Sequence, residues 1–134
     1  MSVLERESNE LGSSGDVALR YFGAVLAFIS QAIHLWILPE AFVVTLLPGL
    51  FFLFVGIFQG VLAVRLLFRP GRWTLRLGIS FNLLLTAIWV VTRFVSLPAL
   101  TGSAQTKVGL LGAMAMVAQI ALMVSIILLM RNDR

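Results

Sequence analysis

Four long apolar runs occupy most of this 134-residue chain, at residues 17–38, 48–68, 75–97 and 108–130. Each matches the roughly 20 residues that an α-helix needs to cross the hydrocarbon core of a bilayer. The chain is 60% hydrophobic and 12% charged, and a soluble protein of this size could not bury so much apolar surface. The sequence therefore predicts an all-α integral membrane protein, an antiparallel bundle of four transmembrane helices.

The segment before the first run is short of apolar residues and holds most of the acidic ones, Glu5, Glu7, Glu10 and Asp16. This composition predicts that residues 1–16 form a disordered acidic tail, and its acidic character is unlike the basic start of a signal peptide. The first helix is predicted to stop at Pro39 and Glu40, because proline interrupts a helix. Residues 41–47 are then predicted to lie along the membrane interface. One transmembrane domain thus spans residues 17–131, and a short tail follows at 132–134.

The basic residues predict the orientation, because Lys and Arg resist translocation and stay in the cytoplasm. Two of them, Arg93 and Lys107, fall on one side of the predicted membrane. Eight fall on the other, near the termini and between the second and third runs: Arg6, Arg20, Arg65, Arg69, Arg72, Arg76, Arg131 and Arg134. We therefore expect both termini inside, an N-in and C-in topology. The basic residues lie at the ends of apolar runs, which indicates contact with lipid headgroups and not with nucleic acid.

Small residues at four-residue spacing occur in the second and fourth runs. Gly56 and Gly60 form a GxxxG pattern, and Gly109 and Ala113 repeat the spacing. Such pairs allow close approach of two helix backbones in lipid. Two interpretations stay open here: packing within the bundle, or contact with a second protein.

Three amides are predicted to lie inside the membrane, Gln59, Asn82 and Gln119. An unpaired amide is costly there, so a partner on another helix is expected. We predict that Gln59 and Gln119 pair with each other, and that Asn82 and Thr86 extend the same polar line. A polar path for a substrate is the alternative.

A second polar group is predicted near the outer ends of the first and third spans. Its members are Gln31, His34, Glu40, Arg93 and Ser96. An arginine at this depth needs a partner, and Glu40 is the acidic residue predicted on that side. We therefore predict a Glu40–Arg93 ion pair that clamps the two helices, with the Trp89 ring stacked against the guanidinium. The alternative is a ligand or proton site.

His34 is the only histidine, and the chain has no cysteine. An imidazole in a membrane bundle can pack and donate hydrogen bonds, contact a quinone or another cofactor, or bind haem iron. A metal site needs three or four ligands, which this group does not supply. No metal site is predicted, and the sequence requires no cofactor.

A loose pattern between residues 23 and 98 resembles an uncharacterised family of small bacterial membrane proteins with four predicted spans. The pattern reads HL, then PE-x-F, then G-x-x-F-x-x-x-G-x-x-Q, then W-x-x-S/T-R-x-x-x-LP. The residues that match the family are His34-Leu35, Pro39-Glu40, Phe42, Gly49, Phe51-Phe52, Gln59, Gly78, Asn82, Trp89, Thr92-Arg93 and Leu97-Pro98. The resemblance implies a prokaryotic cytoplasmic membrane and selects His34, Glu40, Gln59 and Arg93. Members often place a second histidine and an acidic residue where this chain has Ala41 and Gly112, so the resemblance favours a structural role.

These observations favour a non-catalytic accessory or assembly subunit of a larger membrane complex, packing through its transmembrane helices against other subunits or itself, and against lipid. One alternative is a protein that binds a quinone, haem or lipid headgroup at His34 and Arg93. Another is a small transporter that works as a homo-oligomer. An enzyme is disfavoured, because acid-base catalysis needs paired titratable groups in one pocket.

Overall fold

The computed structural model describes residues 2–68, 70–95 and 109–132, and every element in those ranges is an α-helix. The helices are α1 (Val3–Val44), α2 (Leu46–Leu67), α3 (Arg72–Phe94) and α4 (Leu110–Asn132). By length and composition, all four helices can cross a membrane. The segment that is long and apolar enough has 31 residues in α1 and 22 or 23 residues in each of the other helices. The predicted all-α, multi-pass architecture is confirmed at this level.

The helices form a four-membered ring in which consecutive helices are neighbours. α1 packs on α2 and on α4, and α3 packs on α4 and more lightly on α2. The α1–α2 pair is antiparallel, since Gly60 faces Gln31 and Gly49 faces Phe42. It follows that α1 lies diagonally across from α3, and α2 across from α4. The core is built mainly from small and aliphatic side chains: Ala24, Ala27, Leu62, Ala63, Leu66, Leu75, Leu122, Ile126 and Leu129.

The start of α1 differs from the prediction of a disordered tail over residues 1–16. The helix begins at Val3 with a capping box: the Ser2 hydroxyl accepts from the Glu5 N–H at 3.3 Å, and the Glu5 carboxylate accepts from the Ser2 N–H at 2.8 Å. These bonds satisfy donors that a helix start otherwise leaves unpaired. A segment joined to a long helix also needs no new nucleation. The local capping signal, and not the composition, accounts for the helix.

The end of α1 also differs from the sequence prediction. Pro39 lies inside the helix, which continues to Val44 and leaves only Thr45 before α2. A proline removes one backbone hydrogen bond, but the turn after it packs on α2: Ala41 is buried, and the Phe42 ring lies against Gly49. The predicted interface segment at residues 41–47 is therefore a helix continuation followed by the start of α2.

The later helices, α3 and α4, shift by a few residues from their predicted limits of 75–97 and 108–130. Two contacts hold the first turns of the apolar part of α1 to its neighbours. The Arg20 guanidinium donates to the backbone carbonyls of Leu66 at 3.2 Å and Leu67 at 2.5 Å, which caps the end of α2. The Asn132 amide donates to the Asp16 carboxylate at 2.7 Å.

These contacts place the start of α1, the end of α2 and the end of α4 at one end of the bundle. We call it the arginine end, because its described arginines are Arg6, Arg20, Arg65, Arg72, Arg76 and Arg131. Arg93 lies at the opposite end, in the last turn of α3.

Candidate functional site

The most enclosed polar contact joins α2 and α3. Gln59 and Asn82 are both fully buried, and the Gln59 Nε2 donates to the Asn82 Oδ1 at 2.8 Å. The Asn82 Nδ2 donates in turn to the Gly78 carbonyl at 2.8 Å, and the Thr86 hydroxyl donates to the Asn82 carbonyl at 2.9 Å. Asn82 and Thr86 do extend one polar line, as predicted. The line is held by bonds to backbone carbonyls, which is how amides and hydroxyls are stabilised inside lipid.

The predicted Gln59–Gln119 pair does not form, because α2 and α4 are diagonal in the ring. Gln119 is buried on α4 without a side-chain hydrogen bond to any described residue. Gln59 is itself only half satisfied: its Oε1 atom is enclosed and accepts no hydrogen bond from the described part of the chain. The Gln59 Oε1 therefore destabilises this contact, since an enclosed polar atom without a partner is costly in an apolar setting.

His34 lies at the α1–α2 contact. Its Nδ1 is 2.6 Å from the Ser30 carbonyl, so Nδ1 carries the proton and donates, and the Ser30 hydroxyl is 3.5 Å from the same atom. The ring is tilted against Phe52 with centroids 5.9 Å apart. This arrangement matches the packing and hydrogen-bonding interpretation of the histidine, and it leaves Nε2 as an acceptor.

Arg93 lies at a different contact, between α3 and α4. Its guanidinium carbon is 4.7 Å from the Trp89 ring centroid, so the predicted stacking is present. A Cβ atom placed on Gly112 would be 3.8 Å from both the Arg93 Nη2 and the Trp89 Nε1. The Trp89 Nε1 is enclosed and donates no hydrogen bond to any described residue. We call these three residues the α3–α4 notch.

The predicted outer cluster is thus divided between separate contacts. Glu40 is exposed near the end of α1 and makes no ion pair with Arg93. Since α1 and α3 are diagonal, the two side chains project from helices that do not adjoin. Gln31 is half-buried and its amide lies against Gly60. Ser96, the remaining member, lies outside the described residues.

The glycine pair of α2 faces α1. A Cβ atom on Gly56 would be 2.9 Å from the Leu35 side chain, and one on Gly60 would collide with the Gln31 amide. This pair therefore serves packing within the bundle, the first of the two interpretations. On α4, Gly109 has open space around it and Ala113 is half-buried, so Gly109 makes no comparable close approach to a neighbouring helix.

Two features escape the sequence patterns. The α3–α4 notch places Gly112 opposite Trp89, and no spacing within one helix indicates which residue of another helix faces it. In the sequence, Arg20 is one of eight arginines predicted on the cytoplasmic side. In the structure, its side chain reaches from α1 to α2 and caps the end of α2. An arginine one turn inside a predicted span is the signal that could have suggested such a role.

Taken together, the polar groups can donate and accept hydrogen bonds but do not converge on one reactive centre. Among residues 2–68, 70–95 and 109–132, no group of three or more His, Cys, Asp or Glu side chains is placed to hold a metal ion. His34 and Arg93 belong to different helix contacts, so a single ligand site built from both, as one alternative predicted, lacks support from this geometry.

Comparison with known proteins adds no family to this description. No protein-family model, curated protein or solved structure matches the chain. The resemblance to small bacterial four-span proteins therefore stays a prediction from the residues.

Proposed function

We propose that this chain is a non-catalytic accessory or assembly subunit of a larger membrane protein complex. It lies in the cytoplasmic membrane of a prokaryote with both termini inside, and it binds another subunit through the part of α1 that extends beyond the bundle. We call this part the N-terminal extension, residues 3–12, which precede the apolar segment Ser13–Val43.

The observation that carries the proposal is the length of α1. Its 42 residues make a rod about 60 Å long at ~1.5 Å per residue, twice the roughly 30 Å of a hydrocarbon core. Residues 2–7 and 13–15 are all exposed, and the first buried residue of α1 among those described is Gly23. The extension therefore continues as a helix away from the bundle.

The N-terminal extension continues α1 beyond the bundle, and the side chains of residues 3–7 are exposed and open to a partner. Val3 and Leu4 are 75% and 76% exposed near its tip. Its charge is acidic, since Glu5, Glu7 and Glu10 outnumber Arg6. These features suit a partner surface that combines an apolar groove with basic residues, next to the membrane.

The orientation rests on the arginine end. Basic residues stay on the cytoplasmic side, and the start of α1, the end of α2 and the end of α4 meet at this end of the bundle. The non-catalytic assignment is supported by the separation of His34 from Arg93 and by the exposure of Glu40, because acid-base chemistry requires such groups to share a pocket.

The test is purification from the native membrane in a mild detergent, with mass spectrometry of the intact assembly. The full chain should carry a foreign subunit in a fixed ratio, and the double variant Val3→Ser, Leu4→Ser should lose it while keeping its thermal unfolding temperature. The matched control is Val43→Ser, which alters a residue that is 87% exposed near the other end of α1 and should retain the subunit.

Loss of the subunit in both variants, or its retention in both, would contradict docking through the extension. Recovery of the full chain as a bare monomer or as a homo-oligomer would overturn the accessory role itself.

A further inference from the structure

We propose that the α3–α4 notch binds the phosphate oxyanion of an anionic phospholipid, with the Trp89 Nε1 and the Arg93 guanidinium as the two donors. The site is separate from the N-terminal extension and lies at the other end of the bundle, so it does not depend on the accessory role.

The first step of the argument is the unused donor. An indole N–H can donate one hydrogen bond and accept none, and the Trp89 Nε1 is enclosed without a described acceptor. Nearly all enclosed polar groups in folded proteins have a partner. An acceptor supplied from outside the chain would satisfy this N–H.

The second step is convergence. The Arg93 Nη2 and the Trp89 Nε1 lie at the same distance, 3.8 Å, from the point where a Cβ atom of Gly112 would stand. Glycine therefore keeps this point free of a side chain while two donors flank it. One of the donors is permanently charged, and an arginine fork beside a second donor is suited to a phosphate oxygen.

The third step is depth. The 23 residues of α3 extend about 35 Å at ~1.5 Å per residue, slightly more than the roughly 30 Å hydrocarbon core. Arg93 is the last residue but one of this helix, so it lies where the hydrocarbon meets the headgroups. Trp89 is one turn deeper, within reach of a phosphate held at the boundary.

Binding can be measured with Trp89 as the reporter. Trp36 and Trp73 are 78% and 75% exposed, so Trp36→Phe and Trp73→Phe remove the other two tryptophans with little loss of packing. In dodecyl maltoside, which has no phosphate, phosphatidylglycerol should produce a saturable change in the Trp89 emission. Diacylglycerol with the same acyl chains should produce none.

The site variants are tested in this Trp89-only background. Arg93→Gln should weaken phosphatidylglycerol binding roughly tenfold to a hundredfold, because it removes a charge-assisted hydrogen bond. Gly112→Val fills the notch and should abolish the response. The matched control is Gly109→Val, at a position with open space around it, and it should bind like the parent. Arg93→Gln keeps the test decisive if Gly112→Val does not fold.

Three results would overturn the proposal. The first is an equal response to diacylglycerol, and the second is unchanged affinity in Arg93→Gln. The third is an equal response to inorganic phosphate at the same concentration, which would assign the notch to free anions and not to a lipid.

Discussion

The Gln59–Asn82 hydrogen bond allows a quantitative test of how polar contacts hold this bundle together. We consider the changes Gln59→Met and Asn82→Leu, alone and combined, because each replaces an amide by an apolar side chain of similar volume. Both positions are fully buried, and the two amides are joined at 2.8 Å. The cycle of four proteins measures the coupling between them.

The expected magnitudes follow from the bonds each change removes. Gln59→Met leaves the Asn82 Oδ1 without its donor but also removes the unpaired Gln59 Oε1, so we expect a loss of about 1 kcal/mol in unfolding free energy. Asn82→Leu removes the bonds to Gln59 and to the Gly78 carbonyl and leaves the whole Gln59 amide unpaired. For that change we expect a loss of about 2–3 kcal/mol.

The double variant contains neither amide, so no enclosed polar side-chain atom remains at this contact. Its expected cost is about 1 kcal/mol, well below the sum of the single changes, which gives a coupling of about 2–3 kcal/mol. The assay is reversible unfolding in mixed micelles followed by circular dichroism. A control cycle uses Val61→Met and Leu83→Met, which change exposed residues of α2 and α3 and should be additive.

The reasoning is refuted if the Gln59 and Asn82 effects add within about 0.5 kcal/mol, the range seen for independent sites. It is also refuted if the double variant is the least stable of the four proteins. Either result would mean that the amides contribute independently of their mutual bond.

Three further predictions concern the helix contacts and ends. Gly60→Val should lower the unfolding free energy by about 1 kcal/mol, because the Gln31 amide, the end of a flexible side chain, must move away from the new side chain. Gly15→Val, in open space, should not lower it, and equal effects of the two changes in the unfolding assay would contradict this. Arg20→Met should cost about 1–2 kcal/mol and speed hydrogen exchange in the last turn of α2, and unchanged exchange there would argue against the cap. Ser2→Ala should destabilise the start of α1 by the roughly 0.5–2 kcal/mol of a lost N-cap. Hydrogen exchange over the N-terminal extension should then be faster, while the unfolding temperature stays the same. Unaltered exchange would count against the capping box.

Much of the fold follows from local properties of the sequence. The four spans were predictable because a stretch of about 20 apolar residues has few alternatives to a membrane helix. The helix limits were harder to predict. Proline predicts a stop at Pro39, but the helix continues past it to Val44, where Ala41 is buried and Phe42 packs on Gly49 of α2. The acidic composition of residues 1–16 predicts a tail, whereas Ser2 and Glu5 form a capping box that starts a helix at Val3.

The candidate site was predicted only in part, and the two predicted side-chain pairs that do not form share one cause. Both proposed pairs, Glu40 with Arg93 and Gln59 with Gln119, join helices that are diagonal in the ring. The pairs that form, such as Gln59 with Asn82, join consecutive helices, as short connections require. By contrast, the stacking of Arg93 on Trp89 was predictable, because it depends only on the spacing within one helix.

The sequence by itself determined that this chain is made of membrane-spanning helices, where those helices lie, and that most of its arginines gather at one end. These properties depend on hydrophobicity, length and neighbouring residues, all of which can be read along one dimension. Only the tertiary structure decided that Gly60 lies against Gln31, that Gln59 bonds to Asn82, and that Gly112 lies beside Trp89. Each of these depends on the rotation and register of one helix against another, and in lipid such contacts are selected by close packing and hydrogen bonding between helices, not by the hydrophobic pattern.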